Sequence, residues 1–425
     1  PWNPDYILEL RRQLDAAGLQ ATRIIGGDGD IIDIAKALQQ NASVAHAVDA
    51  LGTSLRRPLL LRCLCLHRLA CSRALNPRTL LVCAGRHYPG YEGNDPANRI
   101  PSELGIPLWA SEDYSTYSDA NGAGCWARSL VLNAVNNYTA TISWYLLGAF
   151  SRGVIYDSDG FIRAEWPKSG HWEPTPMLWM TQHWSRFVSG GEAHFIGTGD
   201  LQEGGKYAGL QSDDGAVTVV VEAMTWNASL CIRSNPPFYT VAPTQNVSLH
   251  FSALAGAKGK PMAVYCSCIG WRYGGDGDQS PSYFQRISDA HASANGTLVL
   301  ADVRADCVYT ATTRSTLLGA AAEPAALPAR PPPAAFALPH ADGFDDTRTD
   351  GNEALYFSDM LGKFELGPAA GGRSGQAMQQ AVTAYLPISG NCPAHFYPIS
   401  LIGDMFAEDA NITVDVYLPE ANSAG

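Results

Sequence analysis

The chain has 425 residues, 46% of them apolar and 16% charged, enough for two or three domains with sizeable cores. Its net charge of −12 argues against nucleic acid as the main partner, and no uninterrupted apolar run of about eighteen residues is present to span a membrane as a helix. With 41 Gly, 27 Pro, 10 Trp and 18 Tyr, the composition points to turn-rich β structure with aromatic platforms, a mixture common among carbohydrate-active proteins.

The sequence opens at Pro1-Trp-Asn-Pro without an initiator Met, so a missing signal peptide says nothing about destination; the natural N-terminus is expected upstream. Sequons at Asn41, Asn137, Asn227, Asn246, Asn295 and Asn411 lean toward a secretory route. Asn3, Pro4 and Asp5 form a helix start. Ile7, Leu10 and Leu14 share its buried face, and Gly18 ends it. Residues 21–25 read as a buried strand closed by Gly26-Gly27-Asp28. A second helix follows, with Ile31, Ile34, Ala35 and Leu38 inward. Residues 44–51 hold a short helix and then a strand, residues 108–110 another strand, and residues 140–147 a further buried one. Helices alternating with apolar strands predict parallel β/α units, and four strands make half of an eight-stranded barrel.

Residues 53–85 break this pattern. They hold six Arg, ten Leu and four of the ten Cys, with no Asp, Glu or Lys. Cys63, Cys65, Cys71 and Cys83 near His67 do not fit a usual structural-zinc spacing, and the segment reads as a non-native insertion. From Glu192 the pattern changes to short runs of strand type at 194–199, 207–211, 216–223, 247–254, 261–266 and 296–300, as in an antiparallel sandwich. Residues 320–340 are nearly all Ala, Pro and Leu, a linker of polyproline character. Residues 399–403 and 412–417 read as strands again, with Ile412, Val414 and Val416 on one face. The expected organisation is a partial TIM barrel at 1–190, a β-sandwich at 191–319, a linker at 320–340 and a partial β domain at 341–425, broken off at its C-terminal side.

The chemistry centres on Leu108-Trp-Ala-Ser-Glu-Asp-Tyr-Ser115. A strand ending at Ala110 would release Ser111, Glu112, Asp113 and Ser115 on the face where barrels keep their chemistry. Glu112 is the candidate nucleophile for breaking a glycosidic bond; the simpler alternative is a solvated acidic turn. Retaining glycosidases need a second carboxyl group roughly 5–5.5 Å away. Asp28 sits in a Gly-rich turn, and Asp113 should point to the opposite face from Glu112, so neither supplies it. His171 and His183 read as hydrogen-bonding structural residues.

This block, with Gly122-Ala-Gly-Cys-Trp126, His87-Tyr-Pro-Gly90, Ser169-Gly-His171, Gly204-Gly-Lys-Tyr207 and Cys231-Ile-Arg233, resembles the galactocerebrosidase family of glycoside hydrolases. The resemblance covers residues 1–52 and 86–425 and implies a barrel, a β-sandwich and a C-terminal lectin-like domain. It implies retaining hydrolysis of a galactosyl sphingolipid in a lysosomal or secretory compartment, without metal or cofactor, with a lipid-presenting activator protein as a candidate partner. By the same resemblance Glu112 is the nucleophile, Ser115, Trp144 and Tyr156 line the galactose pocket, and Arg233 reaches toward the nucleophile. Cys125 bonds Cys231, which pins barrel to sandwich. The family's acid/base Glu lies in an Asn-Glu pair; Pro4 follows Asn3 here, so that pair is expected upstream of residue 1. Cys266, Cys268, Cys307 and Cys392 have no assigned partners and are taken as free thiols. Two other readings stand beside this one: a glycan-binding fragment lacking a proton donor, and a related barrel glycosidase acting on galactan.

Overall fold

The computed structural model describes residues 4–26, 38–53, 103–114, 118–144, 146–149, 160–189, 193–231, 238–257, 261–269, 283–318, 329–345, 353–382, 398–403 and 409–418. They form two compact units: residues 1–148, 158–163 and 173–327, and residues 149–157, 164–172 and 328–425. The Arg- and Leu-rich stretch after Thr53 lies outside the described residues.

Helix α1 (Pro4–Ala16) carries Asp5 in its first turn, where the helix dipole favours a carboxylate. Gly18 follows at φ 76°, a left-handed conformation that glycine adopts without Cβ strain. The first strand, β1, is short (Ile25–Gly26). Helix α2 (Ala42–Ala47) is capped by Asn41, whose Oδ1 accepts from the Ser43 and Val44 amides at 3.1 and 3.3 Å. Then come β2 (Ala50–Thr53), β3 (Leu108–Tyr114), α3 (Ala120–Val135) and β4 (Tyr138–Trp144). The strands lie in the order β1-β2-β3-β4 with every neighbouring pair parallel. Ile7, Leu38, Val44, Leu51, Leu108, Ala110 and Tyr138 share one core. Each of the Ile, Leu and Val side chains contributes about 1.5–3 kcal/mol by leaving water.

The predicted buried strand at 140–147 is corrected on two counts. It is split into β4 and β5 (Leu147–Ala149), and Ile142 and Leu147 are 45% and 55% exposed. Among the described strands, β4 has a neighbour on one side only within its sheet. The strand β5 joins β6 (Ile162–Ala164) and β7 (Glu173–Pro174) in a small three-stranded sheet. Helix α4 (Pro176–Ser185) follows, with proline at its start, where no amide partner is lost.

The antiparallel part contains β8 (Ala193–Asp200), β9 (Lys206–Ser212), β10 (Val217–Glu222), β11 (Thr244–His250), β12 (Pro261–Cys268), β13 (Gln285–His291), β14 (Thr297–Arg304) and β15 (Cys307–Thr312). Six of these form one sheet in the order β13-β12-β15-β10-β9-β8, and β11 pairs with β14 in a second. Val217, Val219 and Val221 pack with Val247 and Leu249 of β11 and Leu298 and Leu300 of β14. The opposite face of the same sheet, at Leu210, Val220 and Val308, packs with Trp126, Met177 and Met180 from α3 and α4. Every residue of β10 and of β15 is therefore buried, and neither strand shows an alternating pattern in sequence.

In the second unit, β16 (Phe357–Leu361) pairs with β19 (Ile399–Ile402), and β17 (Phe364–Pro368) with β18 (Gln376–Gln380). Residues 329–345 carry no helix or strand. They are held by the Pro331 carbonyl 2.7 Å from His171 Nδ1, by Arg330 Nη1 donating to the Trp172 carbonyl, and by the Phe336–His340–Tyr356 ring cluster. The predicted strand at 412–417 is corrected: no strand forms there, and Ile412, Val414 and Val416 are 84%, 67% and 71% exposed. Its alternating apolar face has no partner strand among the described residues.

Candidate active site and its neighbourhood

The strand carrying Glu112 does not end at Ala110. It runs on to Tyr114 beside β4, and its register slips on the way: Ala110 pairs with Thr141 but Asp113 with Ser143. Three steps on β3 thus match two on β4, so one extra residue is inserted at Ser111–Glu112. Such a slip is a β-bulge, and a slip of the opposite sense between Leu108 and Trp109, where β4 advances from Tyr138 to Ala140, offsets it along the pair. Leu108 and Ala110 face the helix-covered core. The expectation of a strand ending at Ala110 gives way to one that runs on to Tyr114; which way Glu112 and Asp113 point lies outside what is described. The side chains of Glu112 and Trp144, and Ser115, Tyr156 and Arg233 altogether, lie outside what is described, so the structure does not bring these five together or apart.

The Gly122-Ala-Gly-Cys-Trp126 block opens α3, and each position has a physical reason. The Gly122 amide donates to Asp119 Oδ1 at 2.9 Å, which caps the helix. At Gly124 an added Cβ would lie 1.7 Å from the Ala228 carbonyl oxygen, so only glycine lets the helix approach the turn at Asn227–Ser229 this closely. Cys125 forms a disulfide with Cys231, their Cα atoms 5.6 Å apart. Trp126 is buried, and its Nε1 donates to Thr181 Oγ1 of α4 at 2.9 Å. The bridge closes a loop of 106 residues between the helix after β3 and the segment entering Arg233.

Arg128, one turn beyond Cys125, is a residue that sequence reasoning missed. It is the one charged residue in α3. Its Nη1 lies 3.3 Å from Oε1 of Glu222, which is fully buried at the end of β10. Glu222 Oε2 accepts the Met224 amide at 2.9 Å. Burial pushes the Glu222 carboxyl upward, and the Arg128 charge draws it back in part. The Arg128 guanidinium also lies 3.7 Å from the centroid of the Tyr239 ring, a cation–π contact. Burial pushes the Tyr239 phenol up to about 12. The available signal was a lone charge in each of two otherwise uncharged elements, Arg128 in α3 and Glu222 in β10.

His183 is fully buried on α4. The Thr310 hydroxyl donates to the His183 carbonyl at 3.1 Å, so its oxygen accepts from Nδ1–H at 2.8 Å. That leaves Nε2 to accept from the Ser267 hydroxyl at 2.8 Å, whose oxygen accepts the Phe284 amide at 2.8 Å. Every polar atom of the ring is used within the core, and burial holds its pKa down to about 3. This is a structural role.

The free-thiol expectation for Cys268 and Cys307 is corrected: they face each other across β12 and β15 and form a disulfide. Cys266, two residues back on the same side of β12, remains a buried thiol 3.5 Å from Cys268 Sγ. Three sulfurs this close could ligate a soft metal, but two are committed to each other. Cys392 lies outside the described residues.

Comparison with known proteins gives this arrangement a family. Residues 1–186 match the model for glycosyl hydrolase family 59, and residues 194–318 the model for the glycosyl hydrolase family 59 central domain. The chain is 31% identical over 432 residues to galactocerebrosidase of Danio rerio, with 100% of this chain aligned to 56% of that protein. It is 28% identical over 426 residues to galactocerebrosidase of Mus musculus and 27% over 427 residues to that of Homo sapiens, in each case 100% of this chain and 55% of the relative. It thus spans a little over half the length of these relatives. Among solved structures, a GH30 endoxylanase from Clostridium papyrosolvens C71 superposes with a TM-score of 0.43 at 12% identity, over 73% of this chain and 60% of that one. With both its parallel β/α part and its antiparallel part matched, the chain belongs to glycosyl hydrolase family 59.

Proposed function

We propose that this chain is part of a retaining β-galactosidase that hydrolyses galactosylceramide-type glycosphingolipids. The observation that carries the reading is the match along the whole chain to galactocerebrosidases. In this reading the four parallel strands are half of an eight-stranded barrel, and the 341–425 region is the start of a lectin-like domain. Support for Glu112 as nucleophile comes from the bulge at its position, since bulges recur beside active sites, where they re-aim a side chain.

The chemistry runs in two steps. A Glu112 carboxylate oxygen attacks the anomeric carbon while a second carboxyl group protonates the departing ceramide oxygen. The galactosyl ester on Glu112 is then hydrolysed by a water that the second group deprotonates, which restores both residues and releases galactose with its original configuration. That second residue is the Glu of an Asn-Glu pair upstream of residue 1. Ser115, Trp144 and Tyr156 line the sugar pocket, and the indole suits an apolar sugar face. Arg233 lies close enough to keep the nucleophile ionised. The protein works in the lysosome or secretory pathway, and its lipid substrate is presented by an activator protein.

The test is turnover of galactosylceramide and of galactan oligosaccharides by the full-length protein and its Glu112→Gln variant. Galactosylceramide turnover lost in the variant, with β-galactose as first product by NMR, is expected. Turnover that survives Glu112→Gln, or activity on galactan alone, overturns the reading. Residues 1–425 by themselves are expected to be inactive but to retain sugar affinity, the one respect in which a glycan-binding description fits.

A further inference from the structure

Strand β11 is an edge without the usual guards. Among the described residues it has a strand neighbour on one side only, β14. Its seven residues include no Asp, Glu, Lys or Arg, and they alternate exposed and buried along the whole strand. A regular edge of this kind is a template for another strand, and proteins usually block it with charge, proline or a bulge on the edge strand itself. Here the bulge lies on the inner partner: three steps on β14, from Leu300 to Val303, match two on β11, from Val247 to Gln245. The outer face also carries Val299, 54% exposed and directly opposite Ser248.

What the pair carries instead is two Asn-x-Ser/Thr sequons, Asn246-Val-Ser248 within β11 and Asn295-Gly-Thr297 at the turn into β14. Both asparagines are exposed. Each has its side-chain oxygen held. Asn246 Oδ1 accepts the amide of Asp302, within the bulge, at 3.1 Å. Asn295 Oδ1 accepts the Thr297 amide at 3.3 Å and the Thr297 hydroxyl at 3.0 Å. Neither Nδ2 has a hydrogen-bond partner among the described residues. An exposed asparagine anchored through its oxygen keeps free the nitrogen that N-glycosylation modifies, and the sugar it gains is bulky and solubilising. We propose that Asn246 and Asn295 carry N-linked oligosaccharides, which roof the outer face of the β11–β14 pair and block the free edge of β11. In the transfer, Nδ2 attacks C1 of a lipid-diphosphate-linked oligosaccharide. The N–C1 bond forms, the C1–O bond to the diphosphate breaks, and one Nδ2 proton goes to base. The inference rests on the secretory route proposed above and not on Glu112.

The full-length protein is expressed in a eukaryotic cell that glycosylates secreted proteins. Its sugars are then released enzymatically in heavy-oxygen water, which marks each occupied Asn as labelled Asp for peptide mass spectrometry. Sugar on both Asn246 and Asn295 is expected. Sugar at other sequons with either of these two mainly bare overturns the inference alone. Sugar at none of the six overturns the secretory reading, and the inference with it. The shielding is read by sedimentation. Ser248→Ala with Thr297→Val removes both sequons but keeps both asparagines, so the Asn246–Asp302 bond survives. The oligomer fraction of this double variant should rise at least about twofold, as for an unguarded edge. Ser248→Lys in place of Ser248→Ala removes the same sugar but puts a charge on the edge strand, and should bring the fraction back toward the wild type. An unchanged fraction in the double variant, or a rise that Ser248→Lys does not reverse, overturns the inference.

Discussion

A buried neutral histidine makes the stability of this protein depend on pH in a calculable way. His183 has a folded pKa of about 3 against an ordinary value of 6.5. The folded state therefore binds fewer protons than the unfolded chain between these values. The stabilisation from a neutral ring is complete above pH 6.5 and declines as pH falls toward 3. From pH 7.5 to pH 5 the decline is about 1.5 pH units at 1.36 kcal/mol each, or about 2 kcal/mol. The ring is fully buried, so solvent screening does not reduce the figure. His183→Gln keeps an acceptor for Ser267 but cannot titrate. It should lose about 1–3 kcal/mol at pH 7.5 through the unmatched Thr310 contact. The gap to the wild type should then narrow by about 2 kcal/mol at pH 5, because only the wild type carries the penalty. Urea dependence of hydrogen exchange in the β15 amides, measured at pH 7.5, 6.5, 5.5 and 5, reads the sheet to which His183 is bonded. A gap that stays constant across that range would refute a depressed histidine pKa and the tautomer assigned above.

Two further expectations concern α3. Gly124→Ala places a Cβ where the Ala228 carbonyl stands; the helix must withdraw, at a cost of about 1–3 kcal/mol or more, with a lower Tm and a smaller fraction of Cys125–Cys231 formed by peptide mapping. Full stability with a complete bridge would show that the close approach does not matter. Cys125→Ser opens a loop of 106 residues and should cost up to about 4.7 kcal/mol by chain entropy. Cys231→Ser should match it and the double variant should add nothing, as read from urea midpoints.

Much of the parallel part was legible because its signals are local. Pro4 and Asp5 open a helix, Gly18 ends it, and Ile7, Leu10 and Leu14 repeat at helical spacing. Strand β15 was not legible: its run of Cys, Val, Tyr, Thr, Ala and Thr is buried on both sides, which erases the alternation that marks a half-exposed strand. The edge strand β13 failed for the opposite reason, since Gln285, Arg286, Ser288 and Asp289 face water and carry no apolar rhythm. The bulge at Ser111–Glu112 was invisible because it is a mismatch between two strands, not a property of either. The Cys268–Cys307 bond likewise depends on which strand lies opposite Cys268, a question of long-range pairing. Arg128 and Glu222 are 94 residues apart, and nothing local to either announces the other.

The sheet containing β10 has an oily lining on two sides, one covered by the β11–β14 pair and the other by helices drawn from the preceding third of the sequence. A cut near residue 190 would leave Leu210, Val220 and Val308 facing water. Expressed alone, residues 191–319 should therefore clump or melt. What reads as two modules along the chain must therefore be engineered as one, the antiparallel segment together with the helices that roof it.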